Sequence, residues 1–233
     1  MPSTVFLKGI KHAAGIPAIG LGLSMIAFGA YLKSSGFNIY QSFLSTFLAF
    51  ALPGQYVMAE TLLAGGNLLN IFLAVLLTNA RLFPMTIYLT PLLKNKSKSR
   101  LAYYFMSHFI AVTAWVNMLS VYTNIRKENR YDYFVGLGSF LWFISIVCTL
   151  IGYLISNIVE SKFLLAMVFF NPLYFLIMVI SNIQQKHLIV TFILSILTCP
   201  ILYNFSADWG ILISGFISGA TGYFFFKKKN APN

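Results

Sequence analysis

Residues 50–60 read FALPGQYVMAE, and they lie inside an apolar run long enough to cross a bilayer. A proline, a glycine, an amide and a carboxylate are costly there, because lipid offers no partner to opened backbone or buried charge. Pro53 removes a backbone donor and Gly54 loosens the chain, so the helix is expected to open at this point. Unwound backbone at membrane depth survives only where it faces protein or a watered cavity. Freed carbonyls and a half-helix N-terminus can then hold an ammonium and a carboxylate, respectively. Gln55 adds both a donor and an acceptor. Pro53, Gly54 and Gln55 are therefore candidate substrate-binding residues; the alternative is a simple kink whose amide bonds a neighbouring helix.

The rest of the chain agrees with a membrane setting. Of its 233 residues, 58% are hydrophobic and 9% charged, where a soluble domain carries about 25% charged residues. Apolar stretches of helix-spanning length recur, which predicts an all-α polytopic membrane protein forming one transmembrane domain over residues 1–233. The net charge of +11 sits in short clusters between those stretches: Lys8 and Lys11; Lys94, Lys96, Lys98 and Arg100; Arg126, Lys127 and Arg130; Lys227, Lys228 and Lys229. That is the pattern of cytoplasmic loops, not of a nucleic-acid groove. Cys148 and Cys199 lie within apolar runs and read as packing residues. The basic start followed by a run too long for a signal peptide reads as a retained first helix.

Helices are expected near 13–32, 40–65, 67–92, 101–122, 134–157, 163–181, 187–204 and 209–226, a bundle of about seven or eight. Breaks are expected at Pro53-Gly54, around Pro84, at Asn171-Pro172 and at Cys199-Pro200. Eight crossings from a cytoplasmic N-terminus leave one loop out of place, since 94–100, the densest basic cluster, would face outward. One of the first four segments is then re-entrant, and 40–65 or 67–92, each interrupted, is the natural suspect. Aligning LAFALPGQY with AMVFFNPLY suggests a weak repeat of 13–122 in 134–226.

Glu60 and Arg81 are lone charges in apolar segments. They can pair with each other, snorkel to opposite interfaces, or, for Glu60, carry a proton into a cavity. Asn79 beside Arg81 can satisfy backbone exposed near Pro84 and joins the candidate binding residues. His108 is either a hydrogen-bonded structural residue or a proton relay. Small-residue faces occur at Pro17, Gly20, Gly22 and Gly29, and at Gly215, Gly219 and Gly222, suiting close helix approach. Five acidic residues and three histidines show no metal-ligand spacing, phosphate loop or catalytic set, so no enzyme and no cofactor is expected.

The segments AGIPAIGLGLSMIAFG, ALPGQYVMAETLLAGG, NARLFPMTIYLTPLL and FMSHFIAVTAWV, in that order, resemble the AzlC family, the larger subunit of bacterial branched-chain amino acid transporters. The strongest marks are Gly54-Gln55 and Asn79-x-Arg81 followed by a proline. The resemblance implies a secondary transporter that exports valine, leucine and isoleucine across the bacterial cytoplasmic membrane. It also implies a small hydrophobic AzlD-like partner subunit. Two departures stand out: the family's usual acidic pair is replaced by Ser107-His108, and Glu60 lies in a segment that is usually uncharged. The competing reading is a non-transporting structural or regulatory membrane subunit.

Overall fold

The computed structural model describes residues 4–158, 160, 186–205 and 210–227, with isolated positions between 162 and 180. These form two compact units, Met1–Leu176 and Ile177–Asn233. Every regular element among the described residues is helical. In the first unit the helices are α1 (Thr4–Ala13), α2 (Ile16–Ser34), α3 (Ile39–Leu48), α4 (Leu52–Leu63), α5 (Leu68–Asn79), α6 (Leu82–Leu92), α7 (Arg100–Ser107), α8 (Val112–Val121) and α9 (Arg130–Ile155). The second unit contains α10 (Lys186–Phe205) and α11 (Gly210–Lys227).

The first unit is organised on α9, against which α1 and α2 lie backbone to backbone. Gly29 faces the Thr149 carbonyl and Gly152 faces the Ile26 carbonyl, so an added Cβ at either would strike main chain. Gly22 faces Cys148 in the same seam. From Gly22 beside Cys148 to Gly29 beside Tyr153 the contacts climb both helices together, making α2 and α9 parallel. Gly9 and Gly136 play the same part where α1 meets the start of α9. The small-residue face expected on the first helix is thus used for packing, and Cys148 is buried in it.

At its C-terminus α2 ends on Gly36, whose φ of 83° suits only glycine, and α4 ends likewise on Gly65 at 76°. In both turns an asparagine two residues later, Asn38 or Asn67, caps the next helix. From its turn α3 runs back along α9 until Thr46 meets Thr149 and the Phe47 carbonyl accepts from the Trp142 indole. The chain then becomes extended over Ala49 and Ala51. Pro53 lies in the first turn of α4, where its missing N–H costs nothing. Leu52 and Pro53 share a cavity with Leu21 and Met25, and Tyr56 packs on Phe28 and Tyr31 at 4.8 and 5.1 Å. Contacts therefore ascend α2 toward its C-terminus, so α4 returns to the end from which α3 came.

Helices α5 and α6 form a broken span bent by 49° after Asn79, whereas α7 and α8 meet at 115°. The second pair turns back. Its two ends are tied together: the Asn95 amide donates to the Glu128 carbonyl at 2.7 Å, and Lys98 pairs with Asp132 at 2.7 Å. The 94–99 and 122–129 connections consequently lie at one end of the unit, with seven cations between Lys94 and Arg130. The interrupted 40–65 segment doubles back as α3–α4, and 101–122, expected as one helix, doubles back as α7–α8.

Among the described residues three single helices are long and apolar enough to cross a membrane, Ile16–Ser34, Lys127–Ile155 and Leu188–Phe205, or up to five spans if each bent pair counts as one. Among the described residues the expected seven or eight are not reached. In the second unit α10 passes through Pro200 without ending, so the break expected at Cys199-Pro200 is absent. Thr198 bonds Ser214 at 2.7 Å and Ser218 at 3.3 Å across to α11. Gly215 and Gly219 have nothing within 4 Å among the described residues, so that face is not what joins the pair. Asn171 and Pro172, and the repeat aligned on them, lie outside the described residues.

Candidate functional site

Three helix breaks converge on one cavity of about 350 Å³. The α3–α4 tip contributes Phe50 to Pro53, the α5–α6 bend Arg81 and Leu82, and the α7–α8 tip Ala111 to Thr113. Leu21 and Met25 of α2 complete an apolar wall. Each break presents the N-terminus of its second helix. Those starts differ from the outer ones: Asn38, Asn67 and Ser99 cap α3, α5 and α7 through their side chains, whereas α4, α6 and α8 have no side-chain cap. The first turn of a helix carries N–H groups without intrahelical partners and roughly half a positive charge. Beside them Arg81 supplies a full positive charge, and among the described residues it forms no ion pair. The cavity combines apolar walls with one electropositive corner.

Behind the α3–α4 tip runs a buried chain of polar groups. Gln55, 1% exposed, donates from Nε2 to Thr46 Oγ1 at 3.1 Å. Thr46 meets Thr149 at 3.1 Å, and Thr149 donates to the Ser145 carbonyl at 2.8 Å. Because the Thr149 proton is committed to that carbonyl, Thr46 must donate to Thr149 and accept from Gln55. This leaves Gln55 Oε1 buried without a donor, and Asn79 Oδ1 is in the same condition. Asn79 packs directly over Gly54: a Cβ on Gly54 would lie 2.6 Å from Oδ1 and 2.7 Å from Cγ. Two acceptor oxygens are thus held at the tip, one on each broken pair.

Gly54→Ala is expected to displace the Asn79 amide while leaving the chain folded, since a terminal amide can rotate away where backbone cannot. The protein should unfold at a modestly lower temperature, a cost of about 1–3 kcal/mol set by repacking one side chain, which thermal unfolding in detergent measures.

Of the expected residues, Pro53 and Arg81 line the cavity, whereas Gly54, covered by Asn79, and Gln55, bonded to Thr46, stand behind its wall. The structure does not bring in Glu60 or His108. Glu60 is exposed on α4, about 12 Å along the helix from its first turn, and it does not pair with Arg81. His108 packs its ring against Phe109 and Trp142, each at 5.8 Å. Sequence reasoning missed Trp142, whose ring contacts the α7–α8 tip at Phe109 (6.0 Å) and α3 at Phe47 (5.1 Å). It also missed the Ala111–Thr113 edge of the cavity. Thr46 and Thr149, polar residues in apolar helices, were the available signal for the buried chain.

The family model described as AzlC protein matches residues 17–159, which include every residue lining this cavity. The chain belongs to the AzlC family. No curated protein and no solved structure matches it. AzlC proteins are transporter-associated, and family membership gives this chain a transport-related role. With its apolar helices, the AzlC chain is an integral membrane protein.

Proposed function

We propose that this chain is the substrate-carrying subunit of a secondary transporter exporting valine, leucine and isoleucine across the bacterial cytoplasmic membrane. A small AzlD-like subunit is its partner. The observation that carries the reading is the cavity itself, formed where three helices break and holding an unpaired Arg81 among apolar walls. Its chemistry matches an aliphatic amino acid. The carboxylate meets Arg81 and the uncapped starts of α4, α6 and α8. The alkyl group lies against Leu21, Met25, Phe50 and Leu82. The ammonium is the donor that Gln55 Oε1 and Asn79 Oδ1 lack. Substrate would then draw the three breaks together, and access alternates as the two hairpins move against α9. The positive-inside rule puts the 94–100 end in the cytoplasm.

Counterflow with the purified protein, alone and with its partner subunit, across the twenty amino acids tests the function. Valine, leucine and isoleucine should exchange, and charged amino acids should not. Gln55→Ala should weaken exchange by about tenfold, the worth of one hydrogen bond to a charged group. Wild-type exchange by a folded Gln55→Ala protein would remove Gln55 from the site, and exchange of no amino acid would remove the transport reading.

A further inference from the structure

A second cavity, of about 490 Å³, lies at the basic end of the first unit and is lined by Lys94, Lys96, Lys98 and Arg100 with Tyr103. Four cations around one hollow would repel one another and splay apart in a flexible loop. This loop is held. The Asn95 N–H donates to the Tyr103 hydroxyl at 2.7 Å, and that hydroxyl donates back to the Asn95 carbonyl at 3.2 Å. Asn95 Oδ1 accepts from the Ser97 N–H at 3.0 Å, and its amide nitrogen reaches the Glu128 carbonyl. Only Lys98 is neutralised, by Asp132 at 2.7 Å, and it also lies over the Tyr131 ring at 4.9 Å. Lys94, Lys96 and Arg100 have no anionic partner among the described residues. A fixed hollow with three uncompensated cations calls for an anion with several acceptor oxygens.

The next turn of α7 indicates what carries that anion. Leu101, Tyr104 and Phe105 are 64%, 75% and 69% exposed, an apolar strip that begins where the cations end. We propose that this cavity is a binding site for the phosphate group of an anionic phospholipid, its acyl chains lying along Leu101, Tyr104 and Phe105. The cavity is lined from α6 and α7, and its Lys98 is tied to Asp132 at the start of α9, so an occupied cavity fixes the base of the α7–α8 hairpin whose tip lines the first cavity. It is independent of which amino acid is carried.

The test uses the full-length protein in nanodiscs of phosphatidylcholine with or without phosphatidylglycerol, reading thermal unfolding and, by native mass spectrometry, retained lipid. Phosphatidylglycerol should raise the unfolding temperature and be retained, and Lys94→Gln, Lys96→Gln and Arg100→Gln should each weaken retention by about fivefold. These three side chains are exposed, so the variants should fold; if the triple variant does not, the single Lys96→Gln protein carries the comparison. Equal retention by wild type and variants, or no preference for phosphatidylglycerol over phosphatidylcholine, overturns the site. Inorganic phosphate at millimolar concentration is the third arm: stabilisation equal to that by phosphatidylglycerol would mean a free anion and overturn the lipid assignment.

Discussion

Arg81→Gln is expected to lower valine and leucine transport by about a hundredfold, the worth of a forked, charge-assisted hydrogen bond to the substrate carboxylate proposed above. The cation stands at the bend between α5 and α6 and lines the cavity, and among the described residues no carboxylate neutralises it. In the proposed site the substrate carboxylate is its partner. Arg81→Lys keeps the charge but not the planar fork, and should retain about a tenth of wild-type activity. Because Arg81 bonds no other described residue, the unfolding temperature of either variant should stay near wild type. Transport by Arg81→Gln at the wild-type rate would sink the carboxylate site. A matched fall in stability and transport would make Arg81 structural instead.

Gly29→Ala and Gly152→Ala should have the largest effects on stability. At each position the new methyl would strike a carbonyl of the facing helix, Thr149 or Ile26, rather than the end of a side chain. Two packed helices would have to move apart, costing about 3 kcal/mol or more where total stability is only about 5–15 kcal/mol. Size-exclusion profiles in detergent should lose the monodisperse peak, and the remaining protein should unfold at a lower temperature. Gly215→Ala and Gly219→Ala, with nothing within 4 Å among the described residues, are the controls and should behave as wild type. Intact Gly29→Ala protein would show that α2 and α9 lie farther apart than described.

Much of this was legible in the order of residues. A chain with 9% charge and long apolar runs must be a helical membrane protein, because lipid satisfies no exposed backbone. Pro53-Gly54 announces a break, because proline cannot donate and glycine resists no bend. Gln55, Asn79 and Arg81 stand out because polar groups at membrane depth are expensive. The glycines of the first helix predict close approach, and α9 makes it.

The α7–α8 reversal was not legible. Residues 107–113 read SHFIAVT, without proline or glycine, and local preference does not end a helix there. The reversal is held because Phe109 occupies the space left by Gly138 and meets the Trp142 ring edge-to-face, while Asn95 and Lys98 tie the other end to Glu128 and Asp132. Conversely, Pro200 promised a break that α10 does not make.

By itself, then, the sequence determined the solvent this protein lives in, the first of its breaks and three polar groups worth suspecting, since each follows from the cost of one residue in lipid. Tertiary structure alone decided that two hairpins enter from opposite ends and meet at Arg81. Glu60 is left outside the cavity and Asn79 placed over Gly54 because helix packing sets those distances, and packing depends on residues a hundred positions apart.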